Sequence, residues 1–183
     1  MMYDLPKSLT VCGSEYEIRS DYRAVLDVCA ALSDAELDDQ DKALATLTIM
    51  YPDFPEMPPE HYQEAVRKCF WFINCGNDED HTRNTPKLVS WEHDFQYIVA
   101  PVNRVLGQEI RAVPYLHWWS FISAYYEIGD CTFAQVIRIR DKKVRGKPLD
   151  KADREWYQRN RNMVDLPTNY TQAEKSALGS WPM

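Results

Sequence analysis

Histidine is the side chain from which metal sites and general bases are most readily built, and this sequence holds four, His61, His81, His93 and His117. No two stand at the i, i+4 spacing that lets a pair of imidazoles grip one metal from a helix face. A set drawn from His93, Asp94 and His117 would have to be assembled across two helices, and polar helix residues account for all three more simply. The five cysteines, Cys12, Cys29, Cys69, Cys75 and Cys131, form no C-x-x-C pair. Neither a Cys nor a Ser sits in a nucleophile elbow or a comparable signature. The six glycines are isolated from one another, which excludes both G-x-G-x-x-G and G-x-x-x-x-G-K-[ST] phosphate cradles. Among carboxylates, Asp38-Asp39 and Asp78-Glu79-Asp80 fall in solvated acidic runs. Asp94, within a turn of Trp91 and Phe95, is the best candidate for a buried acid with a raised pKa, its simpler reading being a first-turn acid that favours the helix dipole. The expectation is a protein that is not an enzyme, with no catalytic, cofactor-binding or metal-ligating residues.

The charge that remains is unevenly placed. The chain has 183 residues and a net charge of -7, yet residues 1–135 hold 10 Lys and Arg against 22 Asp and Glu, whereas residues 136–183 hold 11 against 6. An acidic body with a basic C-terminal segment can attract an RNA, an acidic partner or the acidic face of another copy. In VIRIRDKKVRGK no aromatic residue lies between the cations, so base stacking is poorly served and nucleic acid is not the expected partner. The odd, scattered cysteines argue against a disulfide framework, no uncharged apolar run approaches a membrane span, and MMYDLPKSLTV lacks the features of a secretory signal. A reducing cytoplasm is the expected setting, without membrane contact.

The elements that must position these residues are mainly helical. SLTVC and EYEI alternate apolar and polar residues around Gly13-Ser14, predicting a hairpin with a type II′ turn. A helix capped by Ser20 or Asp21 follows, with Tyr22, Val25, Leu26, Cys29 and Leu32 on one face. A second helix through KALATLTIMY is stopped by Pro52, and a third begins at Pro58-Pro59 with Tyr62, Val66, Cys69 and Ile73 inward and Gly76 at its end. NDEDHTRNTPK is a polar excursion. Ser90 caps a helix carrying Trp91, Phe95, Ile98, Val102 and Val105, kinked or split at Pro101 and closed by Gly107. Pro114 opens a helix that runs to Ile128, and another follows with Phe133, Val136 and Ile137 inward. The fold class is thus mainly α: an N-terminal β-hairpin, a compact bundle of about six helices over residues 1–147, and a charged helix and tail over 148–183, with Asp150 and Asp153 as a capping pattern.

In YLHWWSFISAYY, Trp118, Phe121, Ile122 and Tyr125 share one helix side as core, while His117, Ser120, Ala124 and Glu127 form a narrow polar strip suited to lining a groove. Candidate partner-binding residues are therefore His117 and Glu127 on this strip, with Arg138, Arg140, Lys142 and Lys143 in the basic segment.

Three stretches resemble a family of tailed-bacteriophage proteins named for gene product fifteen of its founding phage: YEIRSDYRAVLDV, WEHDFQYIVAPVNRVLGQEI with its G-x-x-I connection, and YLHWWSFISAYYEIGDCTFAQVIRIRDK. In the last, Leu-His-Trp-Trp followed by Phe, then Thr-Phe and Ile-Arg, is the most specific match, and the resemblance covers roughly Leu5 to Lys143. What the resemblance implies is a tail assembly chaperone of a siphophage or prophage, encoded next to the tape measure protein and working in the host bacterial cytoplasm. It would bind that long helical chain while the tail tube protein polymerises, with a second tail chaperone as a further expected partner. Many copies along one client imply a homo-oligomer. The alternatives are a structural tail or connector component retained in the virion, and a nucleic-acid-binding or regulatory protein.

Overall fold

The alternation in SLTV and SEYE pairs as an antiparallel hairpin of β1 (Ser8–Val11) and β2 (Ser14–Glu17), with Leu9 opposite Tyr16 and Val11 opposite Ser14. Burial of Leu9 and Val11 fixes this register, because a one-residue slip would turn both to solvent. The turn is centred on Cys12 and Gly13, at φ 48° and 81°, and not on Gly13-Ser14. Two central residues at positive φ define a type I′ turn, so the expected type II′ is corrected by one residue.

Eight helices follow among the described residues, which are 4–77 and 86–167 of this computed structural model: α1 (Tyr22–Ser33), α2 (Asp39–Met50), α3 (Tyr62–Ile73), α4 (Trp91–Leu106), α5 (Trp118–Tyr126), α6 (Thr132–Val144), α7 (Lys151–Arg159) and α8 (Arg161–Val164). The mainly α class with an N-terminal hairpin is as the sequence pattern indicates. The described chain divides into two compact units, residues 4–77 with 117–119, and residues 86–116 with 120–167. The polar excursion at 78–85 and the tail past Pro167 lie outside the described residues.

In the first unit, side chains close the ends that helices leave open. Asp21 accepts from the Arg23 amide at the start of α1, and Asp38 from the Asp41 amide at the start of α2, three residues earlier than the apolar pattern suggests. At the far end of α2 the Arg19 guanidinium donates to the Thr48 and Ile49 carbonyls at 2.9 and 2.8 Å, supplying donors that the last helical turn lacks. Pro59–His61 form a single 3₁₀ turn, so α3 starts at Tyr62. Its buried residues are Ala65, Cys69 and Phe72, a stripe rotated from the expected Tyr62, Val66, Cys69 and Ile73. The C-terminus of α3 is covered by two tryptophans: the Trp119 indole N–H donates to the Phe72 carbonyl and that of Trp118 to the Ile73 carbonyl, each at 2.8 Å. Gly76, at φ 84°, turns the chain away and donates to the Trp71 carbonyl.

In the second unit α4 runs through the buried Pro101 without interruption and is closed by Gly107 at φ 67°. Past this cap, Asn103 accepts from the Ile110 amide and Ile110 is fully buried, which accounts for the G-x-x-I connection. Trp91 packs on Phe121 and Tyr125, and Tyr125 on Phe133, joining α4, α5 and α6 through rings. Helix α5 does not begin at Pro114. Trp118 donates its amide to the Ser20 carbonyl and His117 bridges Asp21 as extended chain, so the helix starts only at Trp118.

Gly76 lies against two tryptophan rings at the α3 end. A Cβ there would lie 3.4 Å from the Trp119 ring and 3.5 Å from that of Trp71, and an L side chain at this φ is strained. Gly76→Ala is expected to lower stability by about 1–2 kcal/mol in urea unfolding through this backbone strain, and Gly146→Ala, at φ 63° with nothing within 4 Å of its Cβ, should cost a similar amount.

Candidate functional site

Phe133, Val136, Ile139 and Arg140 form the buried face of α6, and Arg140 stands seven residues after Phe133 on the same stripe. A guanidinium in that position must satisfy five N–H donors without water. It does so. Nη1 and Nη2 grip the two oxygens of Asp94 at 2.6 and 2.8 Å, while Nε reaches the Val164 carbonyl at 2.7 Å. The remaining donors reach the Leu88 carbonyl at 2.8 Å and the Met163 carbonyl at 2.6 Å. Asp94, with no exposed surface, also accepts from the Ser90 amide at the start of α4. One cation thus ties together the approach to α4, α4 itself, α6 and α8.

Arg140 is therefore not a partner-facing residue, and the expectation is corrected: its stripe points it inward, where every donor is used. The other three candidate cations, Arg138, Lys142 and Lys143, also have partners inside the unit. Arg138 and Lys142, one turn apart on α6, converge on Asp153 of α7, which is only 2% exposed. Lys143 reaches Tyr157 and Asp165. The hydrogen bond to Asp153 holds the Lys142 ammonium above its ordinary pKa. Burial works against the Lys143 charge, but bonds to Asp165 and Tyr157 outweigh it and raise its pKa. Asp150, which accepts from the Asp153 amide as the N-cap of α7, is held below the ordinary carboxylate range by that bond.

His117 is also internal. Nε2 lies 2.9 Å from the Pro6 carbonyl, and Nδ1 accepts from the Trp119 amide at 3.0 Å. A carbonyl can only accept and an amide can only donate, so these two partners fix a neutral imidazole with its proton on Nε2. His117 precedes α5 and Glu127 follows it, so the expected polar strip is not continuous helix. Glu127 is exposed. Phe72 and Trp119 pack around the His117 ring in the first unit, which makes it a joint and not a groove wall.

What the sequence did not single out is a cleft of about 470 Å³ in the second unit. Tyr97, Ala100, Pro101 and Arg104 line one side at i, i+3, i+4 and i+7 of α4, Gln96 extends it, and Cys131 and Thr132 close it at the start of α6. The spacing was readable as a second stripe on α4, but Ala, Pro and Arg make it a weak apolar signal. Arg104 also holds the Ile128 carbonyl, fixing the loop before α6. The lining is apolar with cationic and amide edges, suited to holding a side chain and lacking a paired acid and base. Among the described residues no group of His, Cys, Asp and Glu could hold a metal ion, and no helix is long and apolar enough to cross a membrane.

The described residues thus form a hairpin-led, mainly helical chain whose buried Asp94, Arg140 and Asp153 are engaged in its own packing. The family model described as Bacteriophage Gp15 protein matches residues 1–166, and the chain belongs to that family. That makes it a bacteriophage structural or assembly protein. No curated protein and no solved structure matches the chain.

Arg140→Met leaves Asp94 as a buried, uncompensated carboxylate and is expected to destabilise the fold by ~3–5 kcal/mol, while the double change Arg140→Met with Asp94→Leu recovers most of that loss in a denaturant titration. Burial, partly opposed by the Pro6 bond, lowers the His117 pKa below its ordinary 6.5. As pH falls below 6.5 the unfolded chain takes up a proton that the folded chain refuses, so this contribution to stability is complete above that pH and declines beneath it. The urea midpoint at pH 5.5 should lie further below that at pH 7.5 in the native chain than in His117→Gln.

Proposed function

We propose that this protein is a non-catalytic tail assembly chaperone that binds the tape measure protein and supports assembly of the tail tube around it in the host bacterial cytoplasm. The match of residues 1–166 to a bacteriophage family carries this proposal. The cleft along α4 supports it, because an amphipathic helix needs only an apolar furrow with a polar rim to dock by one face. A tape measure chain, long and rich in helices, presents such faces in repetition, and many copies of a small binder would cover it. The tail tube protein and a second tail chaperone are the further partners expected during assembly, and the bound copies would leave before the tail is complete.

Co-expression with the tape measure gene tests this directly. The client should shift from the insoluble to the soluble fraction and co-purify with the chain, and Ala100→Trp, which fills the cleft, should reduce recovery at least severalfold while leaving the melting temperature in place. A client that stays insoluble, with no complex recovered, would overturn the proposal. Mass spectrometry of purified virions provides the second arm: the chain should be absent or far below stoichiometric amounts, and a stoichiometric level would make it a structural tail or connector component instead.

A further inference from the structure

Once Arg138, Arg140, Lys142 and Lys143 have found internal partners, the basic C-terminal region still has cations to spare. Lys147, Lys151, Arg154, Arg159 and Arg161 are all exposed. Arg154 reaches only the Leu149 carbonyl at 3.3 Å, and Arg161 lies 5.5 Å from the centre of the Tyr157 ring. Lys151, Arg154 and Arg159 stand on the outer face of α7, opposite the buried Asp153, with Glu155 as the one acid among them. No carboxylate of the described residues pairs with any of the three.

The first unit presents the opposite sign. Between Arg23 and Lys42 there is no cation, and Asp27, Asp34, Glu36, Asp38, Asp39 and Asp41 are all exposed. This acidic connection is also shaped. Asp34 accepts from the Glu36 amide at 2.8 Å and Asp38 from the Asp41 amide at 2.8 Å, so the backbone between α1 and α2 is held by its own side chains. No cation of the described residues pairs with Asp34, Asp38, Asp39 or Asp41, all of which are exposed.

We propose that copies of this chain associate head to tail, the outer face of α7 in one copy seating on the acidic α1–α2 connection of the next. For a chain of net charge -7, unpatterned self-contact is repulsive, and two separate surfaces of opposite sign are what make a specific contact favourable. Because the two surfaces differ, the contact is heterologous and repeats along an open array or a ring instead of closing as a two-fold dimer. Exposed ion pairs are individually weak and screened by salt, so association should be concentration-dependent and ionic-strength-dependent. This deepens the many-copies feature of the chaperone proposal but needs no client. A client recovered with a chain that never self-associates would fail this inference alone, and self-association without client binding would fail only the chaperone.

The test is sedimentation of the full chain at 20 and 500 mM NaCl. The weight-average mass should rise above the 21.5 kDa of one copy at low salt and return to it at high salt. Lys151→Glu with Arg154→Glu and Arg159→Glu, and separately Asp39→Lys with Asp41→Lys, should each weaken association at least roughly tenfold at low salt. An equimolar mixture of the two reversed chains should restore it, since each then carries the complement of the other. Melting curves confirm that both fold, and Gln at the same positions replaces a reversal that does not. A chain that stays at one-copy mass at low salt, association indifferent to either reversal, or a mixture that fails to recover would each overturn the proposal.

Discussion

The second unit depends on one buried ion pair. Asp94 and Arg140 are 0% and 4% exposed, and neither would tolerate that position alone, because the desolvation of a charge is repaid only by a partner in close geometry and by hydrogen bonds to every remaining donor and acceptor. Both conditions hold: the guanidinium is bidentate to the carboxylate and the rest of its donors go to carbonyls. Such a pair adds little to stability over a well-packed apolar pair, but it is demanding about what may surround it. The carbonyls of Met163 and Val164 must be presented at one point, so α8 has one seat. The residues before α4 must bring the Leu88 carbonyl to the same guanidinium.

From that seat the rest of the basic region follows. With α8 fixed, Asp165 meets Lys143 and Tyr157, and with α6 turned so that Arg140 faces inward, Arg138 and Lys142 lie along the ridge that receives Asp153. The cations that give the segment its net positive charge are thus the means by which α7 and α8 are held to α6. Helix α7 has only Trp156 and Tyr157 as large apolar groups and could not hold its place by burial alone. A carboxylate buried between two cations supplies what a hydrophobic face would otherwise provide.

Much of this was legible, and the misses share a physical origin. The hairpin, the order of the helices, the caps at Asp21 and Asp150 and the core placement of Trp118 and Phe121 follow from local periodicity and capping chemistry. Asp94 stood out as the acid most suited to burial. Its partner did not, because Arg140 was grouped by charge with its neighbours in sequence, although the stripe from Phe133 through Val136 already directed it inward. His117 was assigned a face of a helix that starts one residue later. The late start of α5 is imposed by the Ser20 carbonyl and by Asp21, nearly a hundred positions away in the chain, which no local pattern carries. The turn at Cys12-Gly13 slipped by one residue for the same reason: burial of Leu9 and Val11 sets the register, and the turn conforms to it.

The Leu-His-Trp-Trp stretch shows how far such a constraint can reach. Each of its polar atoms ends on backbone: His117 between Pro6 and Trp119, the Trp118 indole on Ile73 and the Trp119 indole on Phe72. Aromatic residues with one N–H are well suited to this, since the ring fills space beside a helix end while its single donor answers one of the carbonyls that the helix leaves open. A His-Trp-Trp cluster with every donor so occupied has nothing left to offer a ligand, which is why a motif that resembles a binding site by composition serves as packing. Among the described residues, surfaces outside that cluster that could meet a partner on the proposed reading are the cleft along α4 and the outward charges of α7 and the α1–α2 connection. The chaperone proposed above would need no more than shape and residual charge, with interior charges such as Asp94 and Arg140 paired so that they do not compete for a partner.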